Sequence, residues 1–205
     1  MTVYHRRTLG IIGGRTAAAI AAFREFQEYH KRNGVEYLLQ VPFGGESMRM
    51  SLVSTYAGLG DIEKYYRKLM SDPVFQDLSA KQAANVITGS SHDHFAREIL
   101  SAAQLSVGPL MHIRSSEFLP GRINSARAVQ RELIDHLAAC GVGHFVTAPA
   151  GVGSPLRTAM VARYPGAAEL EAFNAKLVAD SKWQEIVARQ AYNMVSVSDQ
   201  MWITI

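Results

Sequence analysis

Between Arg15 and Arg32 the apolar residues Ile20, Phe23 and Phe26 recur at helical spacing, with His30 in the same phase. The pattern predicts a helix that buries one stripe. Gly34 follows it, as glycine does after a helix end. The segment before the helix, Tyr4 to Ile12, is β-rich. The segment after it, Val35 to Val41, carries the β-branched and aromatic residues of a strand. Pro42-Phe-Gly-Gly reads as a turn, and Met48 to Ala57 as a further strand. Beyond Gly58 to Gly60 a second helix is expected from Asp61, with Ile62, Tyr65, Tyr66 and Leu69 on one face. Pro73 interrupts or restarts that helix. A last strand lies near His94 to Leu100, and Ser101 to Gly108 reads as a linker.

The same order then recurs. Shifting the chain by 108 positions lays Asp72-Pro-Val-Phe-Gln-Asp-Leu on Asp180-Ser-Lys-Trp-Gln-Glu-Ile, and Ala80 to Ser90 on Ala188 to Ser198. A shift of 107 pairs His5-Arg-Arg-Thr with His112-Ile-Arg-Ser, Gly14-Arg15 with Gly121-Arg122, and Gly34-Val35 with Gly141-Val142. One residue inserted between Pro149 and Tyr164 reconciles the two shifts. Agreement in order over so long a stretch marks an internal repeat. In the second copy the expected elements are Arg122 to Ala139, Val142 to Ala148, Leu156 to Tyr164, Ala168 to Arg189 and Ser198 to Ile205.

Each copy therefore reads βαββαβ, an α+β unit of the ferredoxin-like kind, with two helices on one face of a four-stranded antiparallel sheet. The expected repeats are residues 1–100 and 109–205. The other face of such a sheet needs cover. Val35 to Val41 and Met48 to Ala57 carry apolar side chains on both faces, so the two repeats are expected to pack sheet to sheet as an intrachain dimeric α+β barrel.

Composition narrows the function classes. The chain has 205 residues, 48% of them hydrophobic and 19% charged, enough to bury a core. The net charge of +3 is dispersed without a block of one sign, which implies no nucleic-acid partner. A lone cysteine, Cys140, fits a reducing compartment, and a cytoplasmic location is expected. No signal-peptide core and no run of about 18 apolar residues is present, so no membrane association is expected. An exposed sheet edge allows a homo-oligomer.

The arginine-bearing first strand with its Gly-Arg approach to the first helix, Tyr56 and Tyr164 ending the third strands, and the stretches Ser71-Asp-Pro-Val-Phe-Gln and Asp180-Ser-Lys-Trp-Gln carry a resemblance. Over both halves the chain resembles the dimeric α+β barrel superfamily, most of all its NIPSNAP-type and antibiotic-biosynthesis-monooxygenase-type domains. The resemblance implies a small-molecule pocket between sheet and helices and, in one form, oxygenation without a metal or flavin. Haem is also handled within the superfamily, although no cofactor is expected here. RNA-binding modules share the βαββαβ order, but neither copy has their basic-aromatic third strand.

Seven residues are candidates for the site. His30 lies on the buried stripe of the first helix where the second copy has Leu137; it is either a helix-end histidine bonded to a carbonyl or a pocket acid-base group. Tyr37 and His144 occupy matched positions in the second strands, in phase with apolar neighbours, as core rings or as proton-moving groups beside His30. Arg7 and Arg114, in the paired His-x-Arg motifs, either pair with an acid of the second helix or bind a substrate carboxylate or enolate. His94 and Tyr56 complete the ligand-binding candidates.

Three other signals carry less. His92-x-His94 has chelate spacing but polar surroundings, with Gln200 and Trp202 as its counterparts, so no metal site is expected. Gly151-Val-Gly153 is a hairpin loop without a following helix. Cys140 sits at a helix C-terminus, where the dipole disfavours a thiolate. Two functions remain: an enzyme handling a small organic molecule, NIPSNAP-like or a cofactor-independent monooxygenase, and a non-catalytic ligand-binding or interaction module.

Overall fold

In the computed structural model, which describes residues 2–44 and 48–205, the chain divides into two units, residues 1–97 with 203–205 and residues 98–202. The first unit runs β1 (Val3–Gly10), α1 (Thr16–Arg32), β2 (Tyr37–Pro42), β3 (Arg49–Tyr56), α2 (Leu59–Met70), α3 (Pro73–Ala83) and most of β4 (His92–Ser101). Gly45 of the expected turn lies outside the described residues. The second unit holds β5 (Leu110–Phe118), α4 (Ile123–Ala139), β6 (Phe145–Pro149), β7 (Arg157–Tyr164), α5 (Ala167–Val178), α6 (Ser181–Ala191) and most of β8 (Met194–Thr204). The fold class is α+β, one ferredoxin-like repeat followed by another.

In the first unit β1 pairs antiparallel with both β3 and β4, and β2 pairs with β3, giving the order β4-β1-β3-β2. In the second, β5 pairs with β7 and β7 with β6, and the order is β8-β5-β7-β6. Alternation along β1 sends Val3, His5, Arg7 and Leu9 to one face and Tyr4, Arg6 and Thr8 to the other. Leu9 packs with Phe23 and Phe26 of α1, Tyr37 and Leu39 of β2, and Met50 and Leu52 of β3, so the helices cover the His5–Arg7 face. The equivalent core of the second unit joins Leu110, Leu133, Leu137, Tyr164, Leu170, Phe173 and Ile186.

Three boundaries differ from the sequence reading. The stretch Ala168 to Arg189, expected as one helix, breaks between α5 and α6, just as the first unit breaks at the interruption expected at Pro73. Asp72 and Asp180 cause the break: each leaves the helical conformation and caps the next helix, accepting from the Val74 N–H at 2.9 Å and the Trp183 N–H at 3.0 Å. The last strand begins at Met194 rather than Ser198. His144 lies just before β6 instead of within it. The segment after β4 is pinned in place, because Ala102 N–H donates to the His144 carbonyl at 2.9 Å and Ser106 N–H to the Gly143 carbonyl at 3.1 Å.

Candidate functional site

Between the helices and sheet of the first unit, α1, α2, α3, β2 and β3 bring an imidazole and several aromatic rings together. His30 sits one turn after Phe26 on the buried stripe of α1 and is 0% exposed. Its ring centre lies 4.2 Å from that of Phe26, 4.6 Å from Tyr37, 5.5 Å from Tyr65 and 6.0 Å from Phe75. Its Nδ1 is hydrogen-bonded to the Tyr65 hydroxyl, and its Nε2 is buried without a hydrogen-bond partner. The backbone-carbonyl partner that a helix-end histidine would use is thus replaced by a phenol from α2. Burial, with the charges of Arg7 and His5 adding to it, pushes the imidazole down to about 4, so it is neutral at neutral pH.

The phenols form a second layer. Tyr37 and Tyr56 share a hydroxyl–hydroxyl hydrogen bond of 3.2 Å, and Tyr56 stands 6.2 Å from Tyr65, ring centre to ring centre. Burial raises all three hydroxyls well above the ordinary tyrosine value, and Tyr66 is pushed up to about 12 for the same reason. They are neutral hydrogen-bonding groups across the physiological range.

Arg7 does not pair with an acid of the second helix as expected. Its guanidinium donates from Nε and from Nη2 to the two Asp93 oxygens, both at 2.8 Å, and Asp93 is its directly opposite residue on β4. His5 Nε2 donates to the same carboxylate at 2.7 Å, stacks on Phe95 at 4.8 Å, and faces the Tyr66 hydroxyl with Nδ1 at 3.4 Å. Burial works to raise the Asp93 carboxyl, but the hydrogen bonds from His5 and Arg7 outweigh it and hold the group far below the usual carboxylate range. Arg7 is therefore a fixed cation whose orientation is set by β4.

The second unit repeats this frame with a different filling. Arg114 and His112 share Asp199 of β8, at 2.9 and 2.8 Å, again a strand acid instead of a helix acid. That equivalence sets Asp93 against Asp199, a shift of 106, so the second copy lacks two residues between the last helix and the last strand. The counterparts of His92 and His94 are then Ser198 and Gln200. His144 is buried and donates from Nδ1 to the Val142 carbonyl at 2.8 Å, which leaves Nε2 as its bare nitrogen; burial, together with His112 and Arg114, pushes it down to about 4. Phe173 is its ring neighbour at 6.3 Å and itself stands 6.0 Å from Tyr164.

His30, Tyr37, Tyr56 and Arg7 thus converge in the first unit, and His144 and Arg114 in the second. His94 joins neither group. It is the cross-strand partner of Arg6, on the sheet face opposite His5 and Arg7, and it is exposed. Sequence reasoning missed Tyr65 and Asp93. A signal for Tyr65 was present: the pair His30–Tyr65 is matched in the second copy by Leu137–Phe173, both changed together from polar to apolar.

No family model and no curated protein matches the chain. Solved structures do. A candidate monooxygenase from Lactobacillus acidophilus aligns at 7% identity and TM-score 0.72 over 98% of this chain and 93% of its own. An anthrone oxidase-like protein aligns at 13% identity and TM-score 0.64, covering 100% and 91%. A ferredoxin-fold protein from Listeria monocytogenes related to antibiotic biosynthesis monooxygenases aligns at 8% identity and TM-score 0.53, covering 100% and 96%. At these identities the likeness shows the fold alone, two ferredoxin-like α+β repeats in one chain. Two NIPSNAP family proteins align over 50% and 45% of this chain, at TM-scores of 0.40 and 0.39. Among the described residues no helix is long and apolar enough to cross a membrane.

Proposed function

We propose, taking the dimeric α+β barrel fold as the premise, that the first repeat binds a small aromatic molecule with an acidic C–H or O–H group, and that His30 accepts its proton. The observation that carries this reading is the buried Nε2 of His30, left without a partner inside a cage of rings. A buried polar atom without a partner costs on the order of 1–3 kcal/mol, a cost that a ligand group placed against it removes.

The role of base requires the tautomer in which Nδ1–H donates to the Tyr65 oxygen and Nε2 presents its lone pair. Tyr37 and Tyr56 supply neutral hydrogen bonds, and the field of Arg7, which lowers His30 in the free protein, favours the anion formed when the ligand loses its proton. In the oxygenase form of this reading the resulting carbanion reduces dioxygen directly: one oxygen atom enters the product as a carbonyl and the other leaves as water. Haem is not part of the reading, in which His30 acts as a free base and holds no metal.

The experiment is a screen of phenols, naphthols and anthrones for oxygen uptake and for binding. Removal of a general base typically lowers turnover by about 10²–10⁴-fold, so His30→Leu is expected to lose at least about 100-fold on any substrate found while His144→Phe keeps most of its rate. Equal turnover by the wild type and His30→Leu would exclude His30 as the base.

A second reading, a binding module without chemistry, draws on one observation. An imidazole held down to about 4 is a weak base. Tight binding that His30→Leu weakens, with no oxygen uptake on any member of the panel, would favour it.

A further inference from the structure

The second unit holds a group of side chains that the candidate site does not use. His136 and Cys140 are one turn apart at the C-terminal end of α4, on the side that meets the break between α5 and α6. Asp180 occupies that break. The His136 Nε2 lies 2.9 Å from Asp180 Oδ2, and the Cys140 Sγ lies 3.7 Å from each of those two atoms. All three residues are partly exposed.

We propose that His136, Cys140 and Asp180 form a three-donor site for a zinc-like divalent transition-metal ion. Bond lengths of about 2.0–2.3 Å to zinc place tetrahedral donors roughly 3.3–3.7 Å apart. Both sulfur separations already lie at the upper end of that range, and the His136–Asp180 hydrogen bond needs to open by only about half an ångström once the metal replaces its proton. Asp180 can supply this bond and keep its structural role, because Oδ1 caps α6 at the Trp183 N–H while Oδ2 faces the histidine.

Comparison with the first unit separates this arrangement from an ordinary helix-end contact. Tyr29, Asn33 and Asp72 stand at the matched positions. Tyr29 donates to Asp72, and the Asn33 side chain is engaged by its own helix and by Lys68, at 3.0 Å each. The acid that caps the third helix is thus common to both units, while the two residues facing it are metal donors only in the second. Lys176, the counterpart of Lys68, donates at 3.0 Å to the Cys140 backbone carbonyl and leaves the thiol facing His136 and Asp180.

The donor set selects the metal. One thiolate, one imidazole and one carboxylate suit zinc or cobalt over magnesium or calcium, which take oxygen alone. The ammonium of Lys176 near the site further disfavours ions that lack a strong bond to sulfur. Three protein donors leave a fourth position for water or an external ligand, as in zinc sites that do chemistry.

Cobalt(II) titration of the intact protein tests the assignment, since a cobalt–thiolate bond gives a charge-transfer band in the near ultraviolet and tetrahedral cobalt gives intense visible bands. The wild type is expected to show both, and zinc is expected to displace cobalt and raise the Tm. Cys140→Ser is expected to abolish the charge-transfer band. His136→Ala and Asp180→Asn are expected to weaken zinc binding by about 100-fold or more, beyond what loss of a residue behind the ligands costs. Asn caps a helix as Asp does, so Asp180→Asn removes the charged donor without removing the cap. A cobalt spectrum without the thiolate band, a band that survives Cys140→Ser, or zinc affinity unchanged in Asp180→Asn would overturn the proposal.

Discussion

At the residue scale the two buried imidazoles set a pH dependence whose sign can be worked out. His30 and His144 are both pushed down to about 4 in the folded protein, whereas an unfolded histidine titrates near 6.5. Between those values the unfolded chain binds protons that the folded chain refuses, so stability is fully present above pH 6.5 and falls as the pH drops toward 4. A shift of that size is worth on the order of 3 kcal/mol for each imidazole. Urea midpoints measured from pH 7 to pH 4 should fall accordingly, and His30→Leu should make that fall shallower. A slope unchanged by that substitution would mean that His30 protonates in place. The sequence marked His30 correctly as the odd residue of its stripe, through Leu137. It could not show that the ring's partner is a phenol 35 positions away, because nothing in helical spacing links α1 to α2.

At the element scale the repeat was legible because each helix and strand carries its own period, whereas the joints between elements depended on contacts that spacing does not report. Asp72 and Asp180 were aligned from the sequence, but Ala168 to Arg189 reads as continuous helix. The break there comes from one carboxylate capping the next helix, and α6 lacks the proline that marks α3. The shift of the last strand by two residues was hidden in the same way: His94 was matched to Trp202 by counting from the helix, whereas the acid shared by the first strand's His and Arg fixes the true register.

Packing at another joint makes a sharp prediction. A Cβ on Gly143 would stand 1.8 Å from the Gln104 carbonyl oxygen and 2.8 Å from its carbon, both backbone atoms of the segment after β4. Neither neighbour is a flexible side chain, so Gly143→Ala must push the segment away and break the Ser106 bond to the Gly143 carbonyl. The expected cost is about 3 kcal/mol or more, at or above the upper end for overpacking, read as a lowered Tm. Gly141→Ala tests a different term: open space surrounds that position, but its φ of +105° strains a side chain. Its cost should come from backbone conformation alone and be the smaller of the two.

At the scale of the whole molecule the duplication preserves a frame and divides the chemistry. Both units keep a first-strand His-x-Arg clamped by an acid of the fourth strand, a tyrosine at the end of the third strand and an aspartate capping the third helix. Neither the clamp nor the cap can change alone, since each is shared by two elements. The positions enclosed by that frame were free to diverge: Leu137 and Phe173 stand at the positions matched to His30 and Tyr65, and His136 and Cys140 at those matched to Tyr29 and Asn33. If the partnerless imidazole of the first unit is what a ligand complements, the apolar Leu137–Phe173 pair leaves the second unit without its equivalent. Calorimetric titration with any ligand found by the screen should therefore give one molecule per chain. His30→Leu should weaken it at least about tenfold, the cost of one hydrogen bond to a buried group, while Leu137→Met should leave both affinity and stoichiometry as they were. A stoichiometry of two, with the second event lost in His144→Phe, would mean that the frame itself makes the pocket and that the filling of each repeat only tunes it.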